Sequence, residues 1–166
     1  MVRSRAACAT LAVALLGSAG WGWRSGRPPV ARYRATVVHV SDGDTVTVDV
    51  AGRTERVRIL GADTPEVVDP RKPVQCYGRE ASAHTKARLP PGTRVTLETD
   101  AEPRDKYGRL LAYVYVGDER YDDELLGLGY ARLLVIPPNG VHARAMLQAE
   151  LEARAAGRGL WGACGG

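Results

Sequence analysis

Three short polar clusters, each beside a β-like run, carry the residue types that handle anions and hard cations. Residues 58–66, RILGADTPE, set Arg58 inside an apolar stretch and then crowd Asp63, Thr64 and Glu66 around Pro65. Residues 42–45 read DGDT, and residues 105–109 read DKYGR. Carboxylate and carbonyl oxygens suit a hard cation. A guanidinium fork suits phosphate, to which it donates two parallel hydrogen bonds. Taken singly, each cluster has a plainer account. DGDT is a strand-connecting turn without the spacing or closing Glu of an EF-hand loop. DTPE is a turn or helix-cap motif. DKYGR is a polar β-turn with Gly where φ is positive. A strand Arg such as Arg58 ordinarily faces solvent.

The elements that must position these clusters follow from periodicity. The chain is β-like from residue 33 to residue 60. Val37, Val38 and Val40 precede the turn at 41–44, and residues 45–50, TVTVDV, alternate with Val46, Val48 and Val50 on one face. Ala51-Gly52 is a hairpin signal, after which Val57 and Ile59 mark a third strand. Residues 67–75, with two prolines, read as an exposed loop, and 78–89 as a helix stopped by Pro90-Pro91-Gly92. Residues 93–99 alternate again, 101–109 read as a polar loop, and 110–116 form a fifth strand. A short helix is expected over 121–128. The longest helix is expected over 141–156, with Ala145, Leu147 and Leu151 as core contacts and Trp161 packing the tail down. Five short strands with an inserted helix suit an α+β fold that is mainly β barrel: an OB-type five-stranded Greek-key barrel with three helices. A helix-on-sheet α+β fold is the alternative.

The 166 residues suffice for one domain with its own core. With 45% hydrophobic and 25% charged residues the composition is that of a soluble globular protein. Phe is absent, so Leu, Val, Tyr and Ala must fill the interior. The formal charge is +4, and Arg3 and Arg5 supply two of those charges. The remaining excess is too small to establish an anionic partner without clustering. Arg3 and Arg5, the apolar run 6–16 and the small residues 17–20 have the layout of a secretory signal peptide. Residues 1–20 are therefore expected to be a signal, 21–30 a Gly/Pro/Arg-rich linker and 31–164 the folded domain. Export implies a secreted protein; the same run left uncleaved would be a single N-terminal anchor, for which it is short. Outside that segment two cysteines remain, Cys76 and Cys164. In an exported chain such a pair suggests one disulfide, with two free thiols as the alternative.

DGDT, then R-x4-DTPE, then DKYGR-x-LAY, in this order, resembles the thermonuclease family. Tyr77-Gly78-x-Glu80-Ala81-Ser82, Gly129-Tyr130-Ala131, Pro138-Asn139 and Leu160-Trp161 extend the likeness from about Arg32 to Trp161. The resemblance implies the OB-type barrel and a Ca²⁺-dependent hydrolase that cleaves DNA and RNA phosphodiesters to leave 3′-phosphates. By similarity, Asp44 and Asp63 would supply carboxylate ligands to Ca²⁺, and Thr64 its backbone carbonyl. Arg58 and Arg109 would grip the scissile phosphate, Glu66 would stand beside the attacking water as general-base candidate, and Lys106 and Tyr107 would bind a substrate phosphate. So few protein ligands imply weak Ca²⁺ binding, near the millimolar range of extracellular modules. A monomer with no stable protein partner is expected.

The chain departs from the family pattern at Leu133-Leu134-Val135-Ile136-Pro137. Family members can carry tyrosines here on which a base rests, and this segment has no aromatic. Stacking is worth roughly 1–3 kcal/mol per base. His39, His84 and His142 lie apart from the clusters and read as structural or surface residues, which argues against a His-dependent nuclease. The alternative reading is a catalytically inactive OB-type nucleic-acid- or protein-binding module. It gives no reason for Asp44, Arg58, Asp63, Glu66 and Arg109 to occur together. A redox or scaffold protein built on Cys76 and Cys164 leaves the same residues unexplained.

Overall fold

The computed structural model describes residues 30–67, 70, 71 and 73–165. The expected signal, nearly all of the linker and part of the 67–75 loop lie outside the described residues. No helix among them is long and apolar enough to cross a membrane.

Five strands close into a mixed barrel. β1 (Arg32–Asp42), β2 (Thr45–Val50) and β3 (Arg53–Ile59) form an antiparallel meander; β1 also pairs with β5 (Arg94–Arg104), and β5 pairs with β6 (Leu110–Val116). The parallel pairing of β3 with β6, Val57 to Leu110 and Ile59 to Ala112, closes the ring. A two-residue strand, β7 (Glu119–Arg120), extends the sheet beyond β6. β4 (Gly61–Asp63) pairs with β8 (Arg132–Leu134) as a separate ribbon. The helices are α1 (Gly78–Arg88), α2 (Tyr121–Gly127), α3 (Ala143–Ala155) and the four-residue α4 (Leu160–Ala163), one more than expected.

The alternation in β2 does what its period dictates. Val46 and Val48 are fully buried in the barrel with Val57, Ile59, Leu97, Ala112 and Val114. Each such Val, Leu or Ile contributes about 1.5–3 kcal/mol by leaving water. The β2–β3 hairpin turns on Ala51 and Gly52, both at positive φ (52° and 83°). That conformation matches the strands' right-handed twist. Tyr113 and Tyr121 take the volume that Phe would fill elsewhere. Their hydroxyls donate to Asp100 (3.1 Å) and Thr85 (2.8 Å), so neither buried oxygen is left unpaired.

Two expectations are corrected. Residues 101–104 belong to β5 rather than to a loop. A bulge between Thr99 and Arg104 lets the strand re-pair at Arg104 with Leu110, and the Arg104 guanidinium closes on both oxygens of Glu55 at 2.9 Å. On α3 the buried stripe is Met146, Glu150 and Ala153, whereas Ala145 is exposed and Leu147 and Leu151 are 44% and 49% exposed. The helix is turned so that Met146 packs over Gly61, whose missing side chain leaves the room. Glu150 is drawn inside because it accepts the Leu133 backbone N–H at 3.1 Å and meets Arg154 at 3.2 Å. A buried carboxylate with two donors defeats a reading that counts only apolar residues.

The tail is fixed as expected. The Arg132 and Arg154 guanidinium carbons lie 4.4 and 4.1 Å from the Trp161 ring centroid. Cys76 and Cys164 form a disulfide that links the start of α1 to the end of the chain, 88 residues apart.

Candidate active site

The β1–β2 turn, the β3–β4 bend and the β5–β6 loop meet at one end of the barrel. Around a cavity of about 340 Å³ stand Asp42, Asp44, Arg56, Arg58, Asp63, Thr64, Glu66, Gln75 and Arg109. All six residues given catalytic or metal-ligand roles by resemblance line it. An adjoining cavity of about 420 Å³ shares Arg58 and Arg109 with it and adds Lys106, Tyr107, Leu134 and Ile136. A larger cavity on the outer face of β1 and β5, beside Arg34 and Arg94, includes none of these residues. The chemistry, not the volume, identifies the site.

Each side chain is held by its own local device. Asp44 is buried, and its Oδ2 accepts both the backbone N–H and the hydroxyl of Thr64 at 2.9 Å. The carbonyl of Gly43 accepts the Thr85 hydroxyl at 2.8 Å, so α1 supports the turn from beneath. Arg58 leaves β3 at the barrel's end and folds across the bend. Its Nη1 donates to the carbonyls of Ala62 (2.5 Å) and Ile59 (3.1 Å). Its Nη2 donates to Asp63 Oδ1 at 2.8 Å and stands 3.3 Å from Asp44 Oδ2. Glu66 is fixed through its backbone: its N–H donates to Gln75 Oε1 at 2.9 Å and its carbonyl accepts the Gln75 N–H at 3.0 Å. Arg109 is oriented by Asp105, which accepts its Nε at 2.7 Å and its backbone N–H at 2.9 Å. Tyr107 is 73% exposed, with the Lys106 Nζ 5.1 Å from its ring centroid.

Electrostatics set this end of the barrel apart. Burial pushes the Asp42 carboxyl up to about 6, and the neighbouring Asp44 and Glu66 carboxylates add to the shift, although the Gly43 N–H opposes it. Burial also raises Asp63 above the ordinary carboxylate range against the pull of Arg58. Carboxylates crowded this closely favour any arriving cation. The nearest cation is Arg58, whose Nη2 lies 2.8 Å from Asp63 and 3.3 Å from Asp44.

The donor set fits a hard cation held by few protein ligands. Two carboxylates, from Asp44 and Asp63, converge on a single positive group beside Thr64. Among the described residues no three His, Cys, Asp or Glu groups converge as a ready-made metal cluster. Two carboxylates are oxygen donors of the kind a hard divalent cation takes.

Sequence reading missed four supporting residues. Asp42 belongs to the DGDT motif, where by itself it reads as a turn residue. Asp105 belongs to DKYGR and orients Arg109. Gln75 and Thr85 reach the site only through the tertiary fold, and no local pattern announces them. The histidines do stand apart: His84 stacks on Tyr130 at 4.2 Å, and His142 meets Glu98 at 2.7 Å.

Residues 56–163 match the family described as Staphylococcal nuclease homologue. The chain is 48% identical over 125 residues to a thermonuclease of Staphylococcus intermedius, covering 75% of this chain and 74% of that protein. It is 42% identical over 125 residues to a thermonuclease of Staphylococcus hyicus, covering 75% and 73%. It is 39% identical over 132 residues to the endonuclease YncB of Bacillus subtilis (strain 168), covering 78% of this chain and 62% of that protein. Family match, identity and coverage agree, and the chain belongs to the family of staphylococcal nuclease homologues.

Proposed function

We propose that this chain is a secreted, Ca²⁺-dependent nuclease that hydrolyses phosphodiester bonds of DNA and RNA and leaves 3′-phosphates. The observation that carries the reading is the convergence of Asp44, Arg58, Asp63, Thr64, Glu66 and Arg109 on one cavity wall, drawn from three separate segments of the chain. Two relatives that match it over about three quarters of their length are named thermonucleases. A binding module without activity has no use for so many charges converging at one point.

Hydrolysis adds a water oxygen to phosphorus and breaks the P–O5′ bond. The attacking water loses a proton, and the departing 5′-oxygen gains one from solvent. Glu66, held at its backbone by Gln75, takes the proton or orients the water. Arg58 and Arg109 neutralise the charge that grows on the phosphoryl oxygens. Arg109 is braced by Asp105 before substrate arrives, whereas Arg58 keeps its hold on the Ile59 and Ala62 carbonyls and exchanges the Asp44 and Asp63 carboxylates for the phosphate once those carboxylates hold the metal. Ca²⁺, held by the Asp44 and Asp63 carboxylates and the Thr64 carbonyl, would supply Lewis-acid polarisation of the phosphate. Lys106 and Tyr107, at the mouth of the adjoining cavity, bind a second phosphate of the substrate.

Export agrees with the disulfide, since such bridges persist in oxidising compartments. The test is cleavage of single-stranded DNA, duplex DNA and RNA with Ca²⁺, with Mg²⁺ and with chelator, together with analysis of the product ends. Cleavage that survives chelation, or products ending in 5′-phosphate, would overturn the mechanism.

A further inference from the structure

Arg56 has no assigned role, yet it lines the catalytic cavity. It lies on β3 two residues before Arg58, opposite Thr47 of β2, as Arg58 lies opposite Thr45. Residues two apart on a strand share a face and sit about 6.6 Å apart. That is close to the separation of neighbouring phosphates along a single strand. Arg56 is exposed, and its guanidinium has no hydrogen bond or ion pair among the described residues. An unpaired surface Arg is ordinary by itself, but the other two arginines of the paired cavities are committed, Arg58 to Asp63 and Arg109 to Asp105, as is nearby Arg104 to Glu55. The one carboxylate next to Arg56 in sequence, Glu55, is already held by both nitrogens of Arg104.

The two cavities give the strand a direction. They share Arg58 and Arg109, while Lys106 and Tyr107 belong only to one and Arg56 only to the other. A strand whose scissile phosphate rests on the shared arginines passes from one cavity into the other. We propose that Arg56 binds the phosphate next to the scissile one, on the side away from Lys106, and so forms a further substrate subsite. This rests on the nuclease reading above. Such a contact carries no base information. It strengthens binding of the substrate and the transition state alike, so it lowers KM without changing kcat.

The experiment compares the wild type with Arg56→Gln and Arg56→Lys on single-stranded oligonucleotides. A dinucleotide with only the scissile phosphate is set against trinucleotides extended by one phosphate on the 5′ or the 3′ side. The wild type gains in kcat/KM on both extensions, on one side through Lys106 and Tyr107 and on the other, by about tenfold, through Arg56, as a charge-assisted contact predicts. Arg56→Gln loses that second gain through KM, and Arg56→Lys recovers part of it. Loss of the gain on both sides, on neither side, or through kcat would overturn the proposal. Binding is measured separately with non-cleavable oligonucleotides in a Glu66→Gln background. There the slope of log affinity against log salt falls by about 0.7 when Arg56 becomes Gln. An unchanged slope sinks the Arg56 contact even where the wild type proves inactive. A wild type that cleaves nothing while the slope still falls sinks the nuclease reading alone.

Discussion

The Asp44 carboxylate and the Thr64 hydroxyl, twenty residues apart in sequence, are joined at a single oxygen that also takes the Thr64 backbone N–H. This junction ties the β1–β2 turn to the segment that carries Glu66. Gly43 makes it possible, because a Cβ there would lie 2.7 Å from the Thr64 Oγ1. Gly43→Ala must therefore push Thr64 away from Asp44. The expected result is a higher Ca²⁺ concentration for half-maximal cleavage and a stability loss of about 1 kcal/mol. Thr64→Ser keeps the hydroxyl and should stay near wild type, whereas Thr64→Val should behave like Gly43→Ala. Ca²⁺ titrations of activity for the three variants check this. An unchanged Ca²⁺ dependence in Gly43→Ala would remove the junction from metal binding.

Arg58→Ala, Arg109→Ala and Glu66→Gln should each lower kcat by about a hundredfold or more, the usual cost of removing one charge-stabilising group. Circular dichroism should show all three folded, since none of these side chains belongs to the hydrophobic core. Asp105→Asn should have a smaller effect, because it loosens the orientation of Arg109 without removing its charge. Near-normal turnover in any of the first three variants takes that residue out of the mechanism.

How much of this was legible in sequence follows from which signals are local. β2 was readable because Val46 and Val48 alternate with polar residues, and the barrel buries that face. The catalytic set was readable because it falls in three short motifs in order. The buried face of α3 was not, because Glu150 goes inside for the sake of the Leu133 N–H, a partner on another element. Gln75, Thr85 and Arg56 were missed for the same kind of reason. Their value lies in what the fold brings near them, and periodicity carries no information about contacts between separate elements. The extension of β5 to Arg104 depends likewise on Glu55, across the sheet.

The disulfide should carry stability rather than catalysis. Closing an 88-residue separation contributes about 4.5 kcal/mol in the chain-entropy account. The Cys76→Ala/Cys164→Ala double variant should lose most of this, and the reduced wild type should match it. At temperatures where the variant stays folded, its kcat should change little, because Gln75 still clamps Glu66 from both sides. Denaturant midpoints of the oxidised, reduced and double-variant proteins test the first claim, and cleavage at low temperature tests the second. An unchanged midpoint would mean that the tail is held without the bridge, by the Leu160 N–H on the Gly129 carbonyl and by the cations on Trp161.

Acid stability should depend on Asp100. Burial would raise this carboxyl, yet the N–H groups of Val141, Gly140 and Ala101 and the Tyr113 hydroxyl together hold it below its ordinary value of 3.8. Glu98, two residues away on β5, is likewise held low against burial by His142 and Arg32. A carboxyl depressed by folding binds fewer protons in the native state than in the unfolded one. Its contribution is therefore fully present above the ordinary carboxylate range and is lost as pH falls from that range through the lower native value. Asp100→Asn should cost about 2–3 kcal/mol at pH 7, since several buried N–H groups lose a charged acceptor. The difference from wild type should shrink toward pH 3. Urea midpoints between pH 3 and 7 measure this, and a gap that stays constant with pH would refute it. The same carboxylate holds Gly140 and Val141 at 2.7 and 2.9 Å, next to Asn139, which lines the cavity shared with Lys106 and Tyr107. Asp100→Asn should therefore also raise KM for the substrate while leaving kcat close to wild type.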